Sequence, residues 1–151
     1  MKIRLMNMIK IINKKTNEVV VLDKKKKYGW EGLTFPGGKT EEKESIIKSA
    51  VREAKEETNL DVENLKLVGT ISRIYTENKE IKQDLGFLFE SEDFKGELKK
   101  EDREGKLFWK NYEEFKKMDN LSESMEDILK IYDGYYTECV NDLDNKEKYF
   151  Y

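Results

Sequence analysis

Arg52, Glu53, Glu56 and Glu57 place three carboxylates and a guanidinium within six consecutive positions. On a helix Glu53 and Glu57 project from one edge, one above the other, with Glu56 further round. Carboxylates so gathered repel one another at neutral pH unless a cation sits among them. Hard oxygen donors of this kind suit Mg²⁺ or Mn²⁺ rather than zinc. A second reading is a solvated helix face, in a chain where 40% of residues are charged. Lys48, Arg52 and Lys55 would then be neutralising partners, with Arg52 and Glu56 an i, i+4 pair.

The elements that must position these groups are legible on either side. Ile46, Ile47, Ala50, Val51 and Ala54 recur at i, i+1, i+4, i+5 and i+8, the mark of a helix with one buried stripe. Asn59 suits the left-handed cap that would end it. In front stands Phe35-Pro36-Gly37-Gly38, which holds the chain's single proline and follows a short apolar strand, Leu33-Thr34-Phe35. Proline fixes one φ and the glycines free the next two, so a tight turn that brings backbone close to another group is expected. A carbonyl of that turn would lie beside the carboxylates and help to bind an oxyanion–metal complex.

From Gly37 to Leu60 the chain reads GGKTEEKESIIKSAVREAKEETNL. Gly38, Glu44 and the run Arg52-Glu53-Ala54-Lys55-Glu56-Glu57-Thr58-Asn59-Leu60 resemble the signature box of the Nudix (MutT-like) hydrolase family. The family has glycine where this chain has Asn59, a departure at the helix cap that removes no ligand. The resemblance extends more weakly over about residues 1–132. It implies an α/β fold, an α/β/α sandwich with a mixed sheet flanked by helices. It also implies metal-dependent hydrolysis of a nucleoside diphosphate-linked compound.

In the family's manner Glu53, Glu57 and Glu56 would bind Mg²⁺ or Mn²⁺, with the Gly38 carbonyl completing the set and Gly37 beside it. Arg52 and Glu44 would be supports, joined by a charge-assisted bond. A loop glutamate commonly reaches the metal or acts as base; Glu104, just before Gly105, is the preferred match, with Glu101 second. Asn120 is the candidate for reading a base edge, and its other reading is a turn or cap residue. ADP-ribose hydrolases of the family carry a proline some fifteen residues past the box, where this chain has Tyr75. Tyr75 is also poorly placed for the diadenosine polyphosphate branch. Elimination therefore points to nucleoside triphosphates, including oxidised ones such as 8-oxo-dGTP, cleaved to the monophosphate and pyrophosphate. The alternatives are ADP-ribose or dinucleotide hydrolysis, RNA 5′-end pyrophosphohydrolysis and non-catalytic nucleotide sensing.

The remaining composition narrows the field. With 151 residues the chain has room for one domain over its full length, 1–151. A net charge of −3 with both signs interspersed argues against nucleic-acid coating or membrane-surface binding. The lone Cys139 fits a reducing cytoplasm, and the lack of histidine excludes a His-based zinc site or a Ser-His triad. Oligomeric state is not readable.

Residues 1–12 alternate as a strand rather than a leader peptide. Val19–Leu22 returns as a hairpin partner, and 65–76 and 81–90 read as two further strands. Lys24–Lys27 reads as a solvated loop or as a surface steering a polyanion. Residues 91–105 read as a long loop, 107–109 as a strand, and 112–118 and 122–136 as helices. The tail ending KYFY carries no clear pattern.

Overall fold

The computed structural model describes residues 1–28 and 31–151. Gly29 and Trp30, expected to lead into the glycine turn, lie outside the described residues. β1 (Lys2–Asn13) is the spine of the sheet. It runs parallel to β7 (Glu80–Ser91) from Lys2↔Lys82 to Ile11↔Ser91. On its other edge it pairs antiparallel first with β4 (Gly37–Lys39) and then with β2 (Glu18–Lys24). β6 (Lys66–Glu77) forms the expected hairpin with β7, and β3 (Gly32–Thr34) and β10 (Gly105–Asn111) both flank β2.

Helices cover both faces of this mixed sheet. Alternate residues of β1 and β2 therefore enter different cores, and both strands read as continuous apolar runs. Ile9, Ile11, Val20 and Leu22 pack with Ala50, Ala54 and Leu60 under α1 (Ile46–Thr58). Ile12, Val19 and Val21 pack with Phe35, Phe115, Ile128 and Leu129 under α2 (Tyr112–Phe115) and α3 (Met125–Tyr132). Leu88 joins this second core and Phe89 the first.

Four expectations are corrected. The 112–118 helix is a single turn followed by a looser turn. The 122–136 helix is confined to Met125–Tyr132, because Ser124 at φ 77° and Gly134 at φ 84° break it at both ends. Ile47, assigned to the buried stripe, is 52% exposed. The 91–105 loop contains β8 (Asp93–Lys95), paired with β5 (Asp61–Glu63), and β9 (Glu101–Asp102), paired with β10. The unpatterned tail also proves structured. β11 (Glu138–Asp142) runs parallel to β6 and turns into β12 (Glu147–Phe150) at the sheet edge.

Candidate active site

α1 is fixed at both ends by its own sequence. The Ser45 hydroxyl accepts the Lys48 N–H at 3.0 Å, and Asn59 adopts φ 70° with its N–H on the Lys55 carbonyl. The methyl side chains of Ala50 and Ala54 leave no exposed surface and bring the helix close to β1 and β2. That close approach carries the Glu57 side chain into the interior, where it is only 6% exposed.

The glycine pair makes the expected close approach without the expected turn. Gly37 and Gly38 are not in a tight turn; both are extended in β4, opposite Met8 and Asn7. Neither has a positive φ. What they supply is close approach. A Cβ on Gly37 would strike the Asn7 carbonyl oxygen and lie 2.9 Å from Met8 Cα. One on Gly38 would lie 2.5 and 2.7 Å from the two carboxylate oxygens of Glu53. The Glu53 carboxylate thus rests on bare backbone at Gly38.

Arg52 organises the acidic groups around it. Its Nε and Nη2 donate to both oxygens of Glu44 at 2.7 and 3.0 Å, the support pair expected from the sequence. Nη1 donates to Glu53 at 3.0 Å and Glu56 at 3.2 Å, and Nη2 also reaches the Lys39 carbonyl at 3.0 Å. The guanidinium holds the Glu44 carboxyl down to about 2. Glu57 and Glu53 shift the other way. Burial raises the Glu57 carboxyl, and the charges of Glu104 and Glu53 raise it further. Glu53 is raised by burial against the pull of Arg52. Glu104 reaches the cluster because the backbone around it is clamped to β2. Its carbonyl accepts the Lys25 N–H at 2.8 Å, and Gly105 sits so tightly against Asp23 that no side chain would fit.

Gly37, Gly38, Glu53, Glu56, Glu57 and Glu104 all line one open groove. Arg4, Lys24, Lys39, Arg73 and Arg103 bring positive charge to it, and Asp102 adds a further carboxylate. The groove shares Met6, Lys24, Gly37, Gly38, Arg73 and Glu104 with a second, mainly apolar pocket. Met8, Phe35, Ile71, Leu88 and Ile128 wall this pocket, with Asp84, Ser122 and Ser124 as polar points. Arg52 stands behind the groove rather than in its lining. Asn120 is exposed, lines neither cavity, and contributes its backbone carbonyl to the Leu33 N–H at 2.9 Å. Glu101 pairs loosely with Lys25 at 3.8 Å.

Sequence reasoning missed Arg4, Asp84, Arg73, Ser122 and Ser124. Alternating polar positions on β1, β6 and β7 were the signal, but they read as ordinary solvent-facing residues.

The donor set fits a hard divalent cation. Oε2 of Glu57 is buried without any hydrogen-bond partner, an acceptor left open at the point where neighbouring carboxylates converge. Asn7 Oδ1, on the residue opposite Gly38, is a second such acceptor. Among the described residues no three acidic side chains are yet drawn together as a closed ligand set. Arg52 bonds both Glu53 and Glu56 and stands as the local counter-charge. No helix among the described residues is long and apolar enough to cross a membrane.

Known proteins share this sequence pattern and fold. The NUDIX domain model matches residues 2–130. The uncharacterized Nudix hydrolase YvcI of Bacillus subtilis (strain 168) is 35% identical over 95 residues, covering 62% of this chain. That match spans only 59% of the relative's own length. The mutator MutT protein of Bacillus halodurans superposes with a TM-score of 0.73 at 26% identity, covering 96% of this chain and 94% of that one. The MutT protein of Methanosarcina mazei Go1 shares the fold, with a TM-score of 0.71 at 21% identity over 87% of this chain and 94% of that one. With the family model matching residues 2–130, most of its length, the chain belongs to the MutT-like Nudix family.

Proposed function

We propose that this protein is a metal-dependent pyrophosphohydrolase acting on a nucleoside diphosphate-linked compound. The substrate class favoured is a nucleoside triphosphate, including oxidised forms such as 8-oxo-dGTP, cleaved to the monophosphate and pyrophosphate. One observation carries this reading: the acidic groove and the apolar pocket are continuous and share a wall. A flat base has an apolar recess between Met6 and Ile71. Its phosphates then extend over Gly37–Gly38 toward Glu53, Glu56 and Glu57.

Glu57, Glu53 and Glu56, with the Gly38 carbonyl, would hold the cation. Mg²⁺ or Mn²⁺ bound there supplies a Lewis acid for the phosphoryl oxygens and acidifies a water. The chain's own part is positional and basic. Arg52 orients Glu53 and Glu56 through the bonds it makes to both. Glu44 fixes Arg52 by accepting two of its donors. Glu104 or Glu53 takes the proton of the attacking water at a carboxylate oxygen, and attack occurs in line with the leaving phosphate. Phe35 walls the apolar pocket that adjoins the groove.

A panel of nucleoside triphosphates, oxidised triphosphates, dinucleotides and nucleotide-sugars, assayed with Mg²⁺ and again with EDTA, tests this. Release of monophosphate and pyrophosphate from a triphosphate, abolished by EDTA, is expected. Turnover that survives chelation, or none with any member of the panel, would overturn the reading.

A further inference from the structure

A row of charge crosses the sheet face that floors the two cavities. Arg4 of β1 pairs in register with Asp84 of β7, and Asp84 pairs in register with Arg73 of β6. The next row on the same face is Met6, Gly86 and Ile71, and the one after is Met8, Leu88 and Gly69. The rows thus grade from apolar at the closed end, beneath Ile128, to ionic at the mouth. Gly86, the one residue of the middle row without a side chain, deepens the recess.

Asp84 is 94% buried, since its exposure is 6%, and it is held by a side-on fork. Arg4 Nε donates to Oδ1 and Nη2 to Oδ2, both at 2.8 Å. Asp84 lines the apolar pocket, whereas Arg4 lines only the acidic groove, alongside Lys39, Glu53 and Glu56. The fork uses one edge of the guanidinium. A planar guanidinium has five donors, so its other edge keeps N–H groups to offer. With its side chain 45% exposed, Arg4 lines the acidic groove, whereas Ser122 and Ile128 line only the apolar pocket.

We infer that Arg4 is the anchor for the distal end of the substrate's phosphate chain, and that Asp84 is the positioning residue that aims it. This rests on the hydrolase reading above and deepens it. A base in the apolar pocket leaves the phosphates running outward along the groove that Arg4 lines with Lys39, Glu53 and Glu57, and in this arrangement Arg4 meets the terminal one. The pair therefore selects triphosphates over compounds whose second phosphate carries a sugar.

The test compares wild type with Arg4→Gln and Asp84→Asn on a nucleoside triphosphate and on a nucleoside diphosphate-sugar of the same base. Inorganic triphosphate serves as a competitive inhibitor. Loss of one charge-assisted contact should raise KM for the triphosphate roughly ten- to a hundredfold in Arg4→Gln. The inhibition constant of inorganic triphosphate should rise by the same factor, with kcat and the sugar compound's KM little changed. Asp84→Asn should move the same two constants in the same direction by less, although Arg4 is intact. An unchanged inhibition constant, or an equal loss on both substrates, would overturn the inference.

If Arg4→Gln is unstable by thermal unfolding, the double variant Arg4→Gln/Asp84→Asn replaces the ion pair by two amides that can bond each other. It must show the same losses. Should wild type hydrolyse nothing, the hydrolase reading fails on its own. Calorimetric binding of inorganic triphosphate to wild type and Arg4→Gln then still decides the anchor: tenfold or greater weakening supports it and equal affinity refutes it.

Discussion

Gly38→Ala is the sharpest test of the site because the added methyl group meets one side chain. The new Cβ would lie 2.5 Å from Glu53 Oε1, whereas ordinary contacts begin near 3.4 Å. The carboxylate must therefore retreat by about 0.9 Å, the difference between those two distances. It is the far end of a flexible side chain, so the fold can yield, and the expected change in Tm is small. The chemistry cannot yield in the same way. A misplacement of about 1 Å at a reacting group costs on the order of 10²-fold, equivalent to about 2.7 kcal/mol of transition-state stabilisation. The assay is kcat/KM with Mg²⁺ beside a thermal melt. Glu53→Ala and Gly38→Ala/Glu53→Ala complete a double-mutant cycle, in which the second loss should nearly vanish. Gly37→Ala is the contrast, since its Cβ meets the backbone of Asn7 and Met8 and should lower Tm outright. Wild-type activity in Gly38→Ala, or fully additive losses in the cycle, would refute the placement of Glu53 at the reacting centre.

Other outcomes follow from the same geometry. Glu57→Gln should lose on the order of 10²-fold or more in turnover, and wild-type rates would remove Glu57 from the site. The same residue gives a pH signature without metal. Burial and the charges of Glu104 and Glu53 raise its carboxyl from 4.5 to about 9 in the folded chain, so the folded state holds the extra proton. Stability from this group is full below the unfolded value and is lost as pH rises toward 9. Wild type in EDTA should therefore melt progressively lower from pH 5 to pH 9, and Glu57→Gln should flatten that slope. Arg52→Lys should lose activity, though less than Glu57→Gln does, because a lysine cannot bond Glu44 side-on while reaching Glu53 and Glu56. Steady-state kinetics would show it. Far from the site, Lys10 is buried, 3.0 Å from Glu90 and 3.9 Å from the Tyr112 ring centre. Lys10→Met should cost about 3 kcal/mol in denaturant unfolding by leaving Glu90 unpaired, and Lys10→Met/Glu90→Gln should recover much of it.

The site was legible in the sequence where it is local and hidden where it is assembled across the sheet. Glu53, Glu56 and Glu57 share one helix, so residue spacing alone places them together, and the Arg52–Glu44 pair spans only eight positions. The glycines were read as a tight turn that brings backbone close to another group: the close approach is present, since the missing side chain at Gly38 admits a carboxylate, but the turn and its positive φ are not. Asn120 was a candidate on resemblance, beside a turn or cap reading; it is exposed and lines neither cavity, while Ser122 and Ser124, two and four positions on, line one of them. The tail was unreadable because β11 buries only Cys139 fully and the edge strand β12 little beyond Phe150, too few positions to impose a visible alternation. Arg4 and Asp84 meet at a separation of 80 residues through a parallel pairing that no local pattern announces. The division has a consequence for specificity. The acidic helix and its glycines are written within residues 37–60, whereas the floor of the two cavities is written across β1, β6 and β7. On the proposed function, changes at positions 4, 73, 84 and 86 would alter which nucleotide fits while the carboxylates keep their places. A related chain with the same acidic helix but apolar residues at positions 4 and 84 should hydrolyse phosphoanhydrides without distinguishing triphosphates from diphosphate-sugars.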